Sequence, residues 1–413
     1  MNVEKLIENK NYFLIFIILT ILCTVILFTK VNYSSPGKEI IILLITLIIG
    51  CISIASFIKD KEILEELAKI KDEDEYDAAY NNAVYLMWRN RAISDTYEPG
   101  SVFKIFTAAA GLEEGVVSSE SSYNCTGAIR VADNTIHCHK HEGHGVQSFS
   151  EGLMNSCNPF FITIGQELGT ERFYKYFEAF GFTKKTNIDL PAEANPVADV
   201  TYHSKENMGI SQLSSSAFGQ TFQVTPIQMI TAMCAIANGG KLVTPHVVSK
   251  VLDSDGNVIS ATETKVKRQI ISADTSRRIC DILGDIVNGG GSKNAYVAGY
   301  RVAGKTGTSE KRDTVENTED VVASFCGFAP ADDPQVAVLV LLDDPQTAVR
   351  YGGTLSAPVA QKIFASILPH LGVEPSYTTE ELASLSRTTP SVVGQNPTVA
   401  QNKVVNTGLK ATI

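Results

Sequence analysis

The chain is expected to fold as an α+β protein, and two observations carry that expectation. Helical patterning over Glu171–Phe180 and Pro226–Asn238 sits beside strand-like runs at Val321–Phe328 and Gln335–Leu342, the latter two forming a hairpin around Pro330-Ala331-Asp332-Asp333-Pro334. Residues 98–115 read Glu-Pro-Gly-Ser-Val-Phe-Lys-Ile-Phe-Thr-Ala-Ala-Ala-Gly-Leu-Glu-Glu-Gly. From Ser101 to Leu112 this stretch is almost wholly apolar or small, which predicts a helix buried on every side and stopped by Gly115.

At 413 residues there is room for about two domains and a large core. The net charge of −10, with no basic run, argues against nucleic acid as a partner. Eight cysteines in this length do not make a disulfide scaffold. Cys23 and Cys51 lie in apolar runs, while Cys157, Cys234, Cys280 and Cys326 read as buried small hydrophobes.

Taken in order, residues 1–58 read as a membrane anchor built on apolar runs at 12–29 and 40–58, each about the length of a bilayer span. No small-residue cleavage site follows the first run, against a signal peptide. Orientation is open. Lys59, Lys61, Lys69 and Lys71 after the second run favour a cytoplasmic main domain, whereas a single true span places that domain outside. Residues 59–79 form a charged connector, globular patterning occupies 80–372, and the Ser/Thr/Pro-rich residues 373–390 read as a linker before a short tail at 391–413.

Ser101 and Lys104 are three residues apart and share one face of the first helical turn. A hydroxyl at the mouth of a buried helix beside an amine that burial keeps neutral is a nucleophile with its base. Taken alone the pair is more often a helix cap and a surface lysine, so its reading depends on companions downstream. Met154-Asn155-Ser156-Cys157-Asn158-Pro159 offers a second hydroxyl to relay a proton and an amide to position a substrate, or is simply an Asn/Ser turn. In Ala303-Gly304-Lys305-Thr306-Gly307-Thr308-Ser309-Glu310, a strand would point Lys305 into a cleft, and Gly307 would let a substrate backbone approach. The backbone N–H groups of Thr308 and Ser101 would then make an oxyanion hole.

Gly299 to Thr306 also fits G-x-x-x-x-G-K-[ST], with an apolar run ending in Asp343 downstream. A phosphate loop needs a strand before its first Gly and a helix after its Lys-Thr. The four intervening residues are strand-like here and Gly307-Thr308-Ser309 opens a helix poorly, so the nucleotide reading is rejected. Asn288-Gly289-Gly290-Gly291 reads as a flexible turn.

Cys125 and the run His137-Cys138-His139-Lys140-His141 with His144 gather metal-ligand residue types, without the paired spacing usual for zinc. Alternation over Ala128–Val131 and Thr135–Cys138, with a turn at Asp133-Asn134, predicts a small hairpin that brings Cys125 and Cys138 together on adjacent strands. A redox-sensitive pair is preferred to a zinc site, two free thiols remain equally open, and no metal or other cofactor is assigned.

S-x-x-K, S-x-N and K-T-G in this order and spacing resemble the penicillin-binding protein and serine β-lactamase superfamily. Trp88-Arg89-Asn90-Arg91-Ala92, Ala217-Phe218-Gly219-Gln220, Val224-Thr225-Pro226 and Ala237-Asn238-Gly239-Gly240-Lys241 extend that resemblance to class B penicillin-binding proteins over roughly residues 86–370. The Cys125/Cys138 hairpin and His144-Gly145 are similar to sporulation-specific and division-type members of Gram-positive spore formers. Ser391-Val392-Val393-Gly394 through Gly408-Leu409 resembles the opening of a PASTA module.

The resemblance implies a central antiparallel sheet with helices on both faces, behind N-terminal transmembrane helices. It implies a D,D-transpeptidase that cross-links peptidoglycan stem peptides through a serine acyl-enzyme and is acylated by β-lactams. Ser101 would be the nucleophile and Lys104 its base. Ser156, Asn158 and Lys305 would complete the catalytic set, with Thr306, Gly307 and Thr308 binding the substrate carboxylate. The expected setting is the cell membrane with the catalytic domain outside, beside a membrane glycosyltransferase of the division, elongation or sporulation machinery. The alternative is a catalytically weak or inactive relative that binds stem peptides or β-lactams as a sensor or scaffold. The family's usual pedestal is missing from the expectation, since about forty residues separate the second apolar run from Ser101.

Overall fold

The structure, a computed structural model, describes residues 69–311, 320–385 and 392–405. The apolar runs at 12–29 and 40–58 lie outside these residues, and no described helix is long and apolar enough to cross a membrane. The chain divides into two compact units between Arg89 and Asn90. In the first, helix α1 (Glu73–Trp88) begins at Asp72, whose carboxylate accepts the Glu75 N–H at 3.0 Å.

The second unit is α+β. Its helices are α2 (Lys104–Glu113), α3 (Phe149–Met154), α4 (Asn158–Ala179), α5 (Ile210–Ser216), α6 (Pro226–Ala237), α7 (Ala273–Gly289) and α8 (Gly352–His370). The main sheet has strands β9 (Ala303–Glu310), β10 (Val321–Ala329) and β11 (Val336–Asp343), antiparallel in the order β11-β10-β9. Four two-stranded ribbons precede it. β1 (Ser122–Cys125) pairs with β4 (Gly145–Ser148), and β2 (Ala128–Val131) with β3 (Asn134–His137). β5 (Lys241–Val243) pairs with β8 (Val266–Gln269), and β6 (Lys250–Leu252) with β7 (Val258–Ala261).

Side chains alternate across the main sheet and feed two cores. Phe325 and Val340 face α8, meeting Ala357, Ala360 and Phe364. Cys326, Phe328 and Ala303 face the other way, into the cluster holding α2, α4 and α6. Helices therefore cover both faces, as the resemblance implied. Every residue of α2 from Lys104 to Leu112 is buried. Phe103, just before it, meets the rings of Phe106, Phe173, Phe177, Phe182 and Phe222 at centroid distances of 4.7–6.2 Å.

Some local expectations change. Ser101 lies in a 3-10 turn, Gly100–Phe103, and the α-helix proper starts at Lys104. The helix expected at Glu171–Phe180 is the far end of α4, which is interrupted at Gly169 with φ 69°. Cys125 and Cys138 are not on paired strands. Cys125 ends β1 opposite Gly145, while Cys138 follows β3 and donates its N–H to Gly127 O at 2.8 Å. The hairpin turn falls one residue early because Ala132 takes a positive φ of 49°. Residues expected as a linker include a helix, α9 (Thr379–Leu385), whose Glu381 accepts the Gly299 N–H at 3.0 Å. In the tail, α10 spans Pro397–Val405.

Candidate active site

Two glycines fix the turn that presents Ser101. Gly100, at φ 56°, donates to Gly219 O at 2.9 Å. Gly219 sits at φ 93°, and a Cβ there would lie 1.9 Å from Gly100 O. A Cβ on Gly100 would instead crowd Thr308 O at 3.1 Å, and both glycines hold a positive φ that other residues rarely adopt.

Lys104 is fully buried on the next helical turn. Its Nζ lies 3.0 Å from Ser101 Oγ, 3.1 Å from Ser156 Oγ, 2.7 Å from Ser156 O and 2.6 Å from Asn158 Oδ1. A neutral amine has two N–H groups and one lone pair. The two short contacts are to carbonyl oxygens, which only accept, so they use both N–H groups and leave the lone pair to a hydroxyl proton. Burial first, and then the charge of Lys305, hold the Lys104 pKa well below the ordinary lysine value.

Ser156 reaches this amine from the turn between α3 and α4, where it adopts a positive φ of 52°. That conformation costs a non-glycine residue about 1–3 kcal/mol. It is held by bonds from Ser156 N to Leu153 O at 3.1 Å and Cys157 N to Gly152 O at 3.0 Å. Asn158 opens α4 with Pro159 behind it, and its Nδ2 donates to His137 O at 3.3 Å.

On the opposite wall, β9 is the edge strand. Lys305 is buried and donates to Thr306 O at 3.1 Å, with its pKa brought down by burial to about 8. Thr308 Oγ1 accepts the Gly352 N–H at 3.1 Å, which leaves its own proton to donate. Thr306 N donates to Ser292 Oγ at 3.2 Å. Gly307 has a packing role: a Cβ there would stand 2.6 Å from Ser324 Oγ and 2.9 Å from Pro99 O. The glycine thus lets β9 press against the turn that carries Ser101. The strand runs unbroken from Ala303 to Glu310, so Gly307-Thr308-Ser309 is strand where a phosphate loop needs the start of a helix.

Ser101, Ser156, Asn158, Lys305, Thr306, Gly307 and Thr308 therefore all line one cleft of about 1090 Å³. Gln220, Arg350 and Tyr351 also line it and were not singled out from sequence. So does the Gly289–Gly291 turn. Ala217-Phe218-Gly219-Gln220 carries the family resemblance, but nothing local in it signals that Gln220 turns into the cleft.

Beside the cleft, the sequence pair Cys125 and Cys138 gains two members. The ligand atoms of Cys125, Cys138, His144 and Cys157 all lie within 4.8 Å of one another. Cys138 Sγ is 3.5 Å from His144 Nδ1. Tetrahedral zinc bonds of about 2.3 Å to sulfur and about 2.0 Å to nitrogen would separate those two atoms by about 3.5 Å. Three thiols and an imidazole form a soft donor set able to hold such an ion. Hydrogen bonding between Cys138 and Cys157 pushes the Cys138 thiol pKa down and that of Cys157 up. Cys157, expected as a plain core residue, is in reach because it caps α4 just before Asn158.

The comparisons with known proteins agree with this geometry. The family model for the penicillin binding protein transpeptidase domain matches residues 61–365. The chain is 37% identical over 373 residues to stage V sporulation protein D of Bacillus subtilis, covering 88% of this chain and 56% of that protein. It is 30% identical over 303 residues to the probable peptidoglycan D,D-transpeptidase FtsI of Caulobacter vibrioides, covering 69% and 48%. It thus spans about half the length of these curated relatives. Penicillin-binding protein 3 of Mycobacterium tuberculosis, solved with aztreonam, superposes with a TM-score of 0.63 at 27% identity, over 70% of this chain and 65% of that one. On the match and on the architecture, the chain belongs to the penicillin-binding protein transpeptidase family.

Proposed function

We propose that the chain is a serine-type D,D-transpeptidase of peptidoglycan. Ser101 Oγ attacks the carbonyl of the penultimate D-Ala in a stem peptide, and its proton passes to neutral Lys104. Backbone N–H groups of Ser101 and Thr308 stabilise the oxyanion. The proton then moves through Ser156 to the departing amine, the C–N bond breaks, and terminal D-Ala leaves. Lys305, Thr306 and Thr308 hold the terminal carboxylate, and Asn158 holds the peptide amide. An amine of a second stem peptide then attacks the ester, delivers its proton back along Ser156 and Lys104, and frees Ser101. β-Lactams acylate the same oxygen. The observation that carries this reading is the Lys104 amine, fully buried with Ser101 Oγ at 3.0 Å.

The test is labelling of the detergent-extracted protein with a fluorescent penicillin, beside Ser101→Ala. A stable band lost in the variant supports the acyl-enzyme, and release of a cross-linked product from donor and acceptor peptides then supports transfer. Absence of a band from folded protein leaves the sensor or scaffold. The finer assignments belong to the same proposal: a membrane anchor at residues 1–58 with the catalytic domain outside the cell, a glycosyltransferase partner, a PASTA-like tail, and roles in division or sporulation.

A second reading concerns the four-residue thiol and imidazole group. Its donor set supports either a redox-sensitive pair at Cys125 and Cys138 or a zinc site that adds His144 and Cys157. Zinc retained through gel filtration and lost in Cys157→Ser favours the metal. A reducible bond between Cys125 and Cys138 in the oxidised protein favours the pair.

A further inference from the structure

A second cavity, of about 600 Å³, is walled by Asp95–Glu98, the residues that lead into the Pro99-Gly100-Ser101 turn. Its other walls are the ends of three strands, with Ser309 on β9, Val322 on β10 and Leu341 on β11, closed by Pro226 at the start of α6. Ser101, Lys104, Ser156 and Asn158 are not among its lining residues. The wall and the catalytic turn are nevertheless one mechanical unit. Ser309 Oγ donates to Glu98 O at 2.6 Å, and Glu98 Oε1 accepts the Thr221 N–H at 3.1 Å. Tyr97 and Val224 exchange backbone hydrogen bonds at 3.0 Å. A displacement of Asp95–Glu98 is therefore passed to the turn that carries Ser101.

The lining gives the chemistry of an occupant. Lys311 and Asp343 pair at 2.7 Å and cancel, so the charge balance is negative, with Asp95, Glu98 and Glu310 against Arg91. Val322, Leu341 and Leu342 supply an apolar floor. Tyr97 points to a ligand independently. It is 9% exposed, and its hydroxyl has no hydrogen-bond partner among the described residues. Burial holds its pKa well above the ordinary tyrosine value, with the Cys326 thiol adding to the effect, so it stays a neutral hydroxyl. A buried hydroxyl without a partner is costly, and peptide N–H or C=O groups would relieve it. We infer that this cavity is an effector site for a segment of a partner protein that presents a basic side chain beside an aliphatic one. The basic group meets the carboxylates, and the aliphatic one covers the strand ends. An anionic segment would be repelled. The site stands without any assignment of the reaction, while its effect on acylation rests on the transpeptidase reading above.

The experiment uses the full chain in detergent and two acetylated tripeptide amides of L-residues, Leu-Lys-Leu and Leu-Glu-Leu, with binding followed by calorimetry. The lysine peptide is expected to bind with a Kd of about 1 mM or below, and the glutamate peptide at least about tenfold more weakly. Leu341→Trp fills the cavity from the sheet and Thr96→Trp from the exposed rim, and each should weaken the lysine peptide at least about tenfold. Saturating lysine peptide should change the penicillin acylation rate by about threefold or more in the unmodified protein and not in the filled variants. Binding should persist once penicillin has acylated Ser101. No binding, equal binding of the two peptides, or binding that survives both fillings overturns the site. So does loss of binding on acylation, which would put the peptide in the catalytic cleft. Binding with an unchanged acylation rate overturns the effector role. If Leu341→Trp does not fold, Thr96→Trp decides alone. Failure of the unmodified protein to label with penicillin is a separate outcome: it overturns the transpeptidase reading, while selective binding of the lysine peptide would still support the site.

Discussion

Lys104 Nζ and Asn158 Oδ1 are 2.6 Å apart, closer than Lys104 is to the Ser101 hydroxyl it would deprotonate at 3.0 Å. The amide oxygen cannot give a proton, so this contact takes an N–H of the amine and turns the lone pair elsewhere. Asn158→Asp would replace a neutral acceptor by an anion and stabilise the ammonium form. The penicillin acylation rate at pH 7 is expected to fall about 10²–10⁴-fold, and the loss should be partly recovered at higher pH. A rate that does not respond to pH would show that Asn158 acts on substrate alone.

Acylation should depend on pH in a bell. The acid limb belongs to Lys104, which must lose its proton. The alkaline limb should fall near 8, where Lys305 gives up the charge proposed to bind carboxylate. Lys305→Arg keeps that charge at all working pH values and should remove the alkaline limb. Rates measured between pH 6 and 10 decide it.

Stability should move the other way over the same range. Below about 8, Lys305 carries its proton in both the folded and unfolded chain, and the full cost of burying the charge is present. From there up to the ordinary lysine range only the unfolded chain keeps the proton, so unfolding becomes harder as pH rises. Urea midpoints should increase from pH 8 to pH 10, and Lys305→Met should reduce that increase without abolishing it, since Lys104 is also held well below the ordinary lysine range.

Gly219→Ala is expected to destabilise the second unit by about 3 kcal/mol or more, since the new Cβ meets Gly100 O at 1.9 Å in a positive-φ position. For a unit of this size that is a fall of about 4–5 °C or more in Tm. Calorimetry of the variant checks it. Penicillin labelling should be lost at temperatures where the variant is still folded, because the clash lies one residue before Ser101.

Phe103→Ala removes the ring at the centre of five aromatic contacts. The expected cost is about 3–5 kcal/mol, and Phe103→Leu should recover more than half. Denaturant midpoints of the two variants give the comparison.

The eight candidate active-site residues were legible because each motif is local: three residues from Ser101 to Lys104, two from Ser156 to Asn158, and a single strand from Lys305 to Thr308. Helix α6 and strands β10 and β11 were placed to within a residue because apolar pattern and proline punctuation agree there. Contacts between distant segments were not legible. Nothing in the sequence ties Cys157 to Cys125, because that meeting depends on the start of α4 lying against the end of β1. The packing role of Gly307 was equally out of reach, since Pro99 and Ser324 crowd it from two other segments.

The positive φ of Ser156 has company around the same cleft: Gly100, Gly219 and Thr221, at 56°, 93° and 66°. Two of the four are residues that carry a Cβ in a backbone region suited to glycine. The working surface of this domain thus stores backbone strain of its own, maintained by the packing around it. Thermostability alone is then a misleading criterion for selecting improved variants. A library screened only for heat resistance would collect Ser156→Gly, which relieves the turn and removes the hydroxyl proposed to relay the proton, so activity has to be scored alongside every gain in Tm.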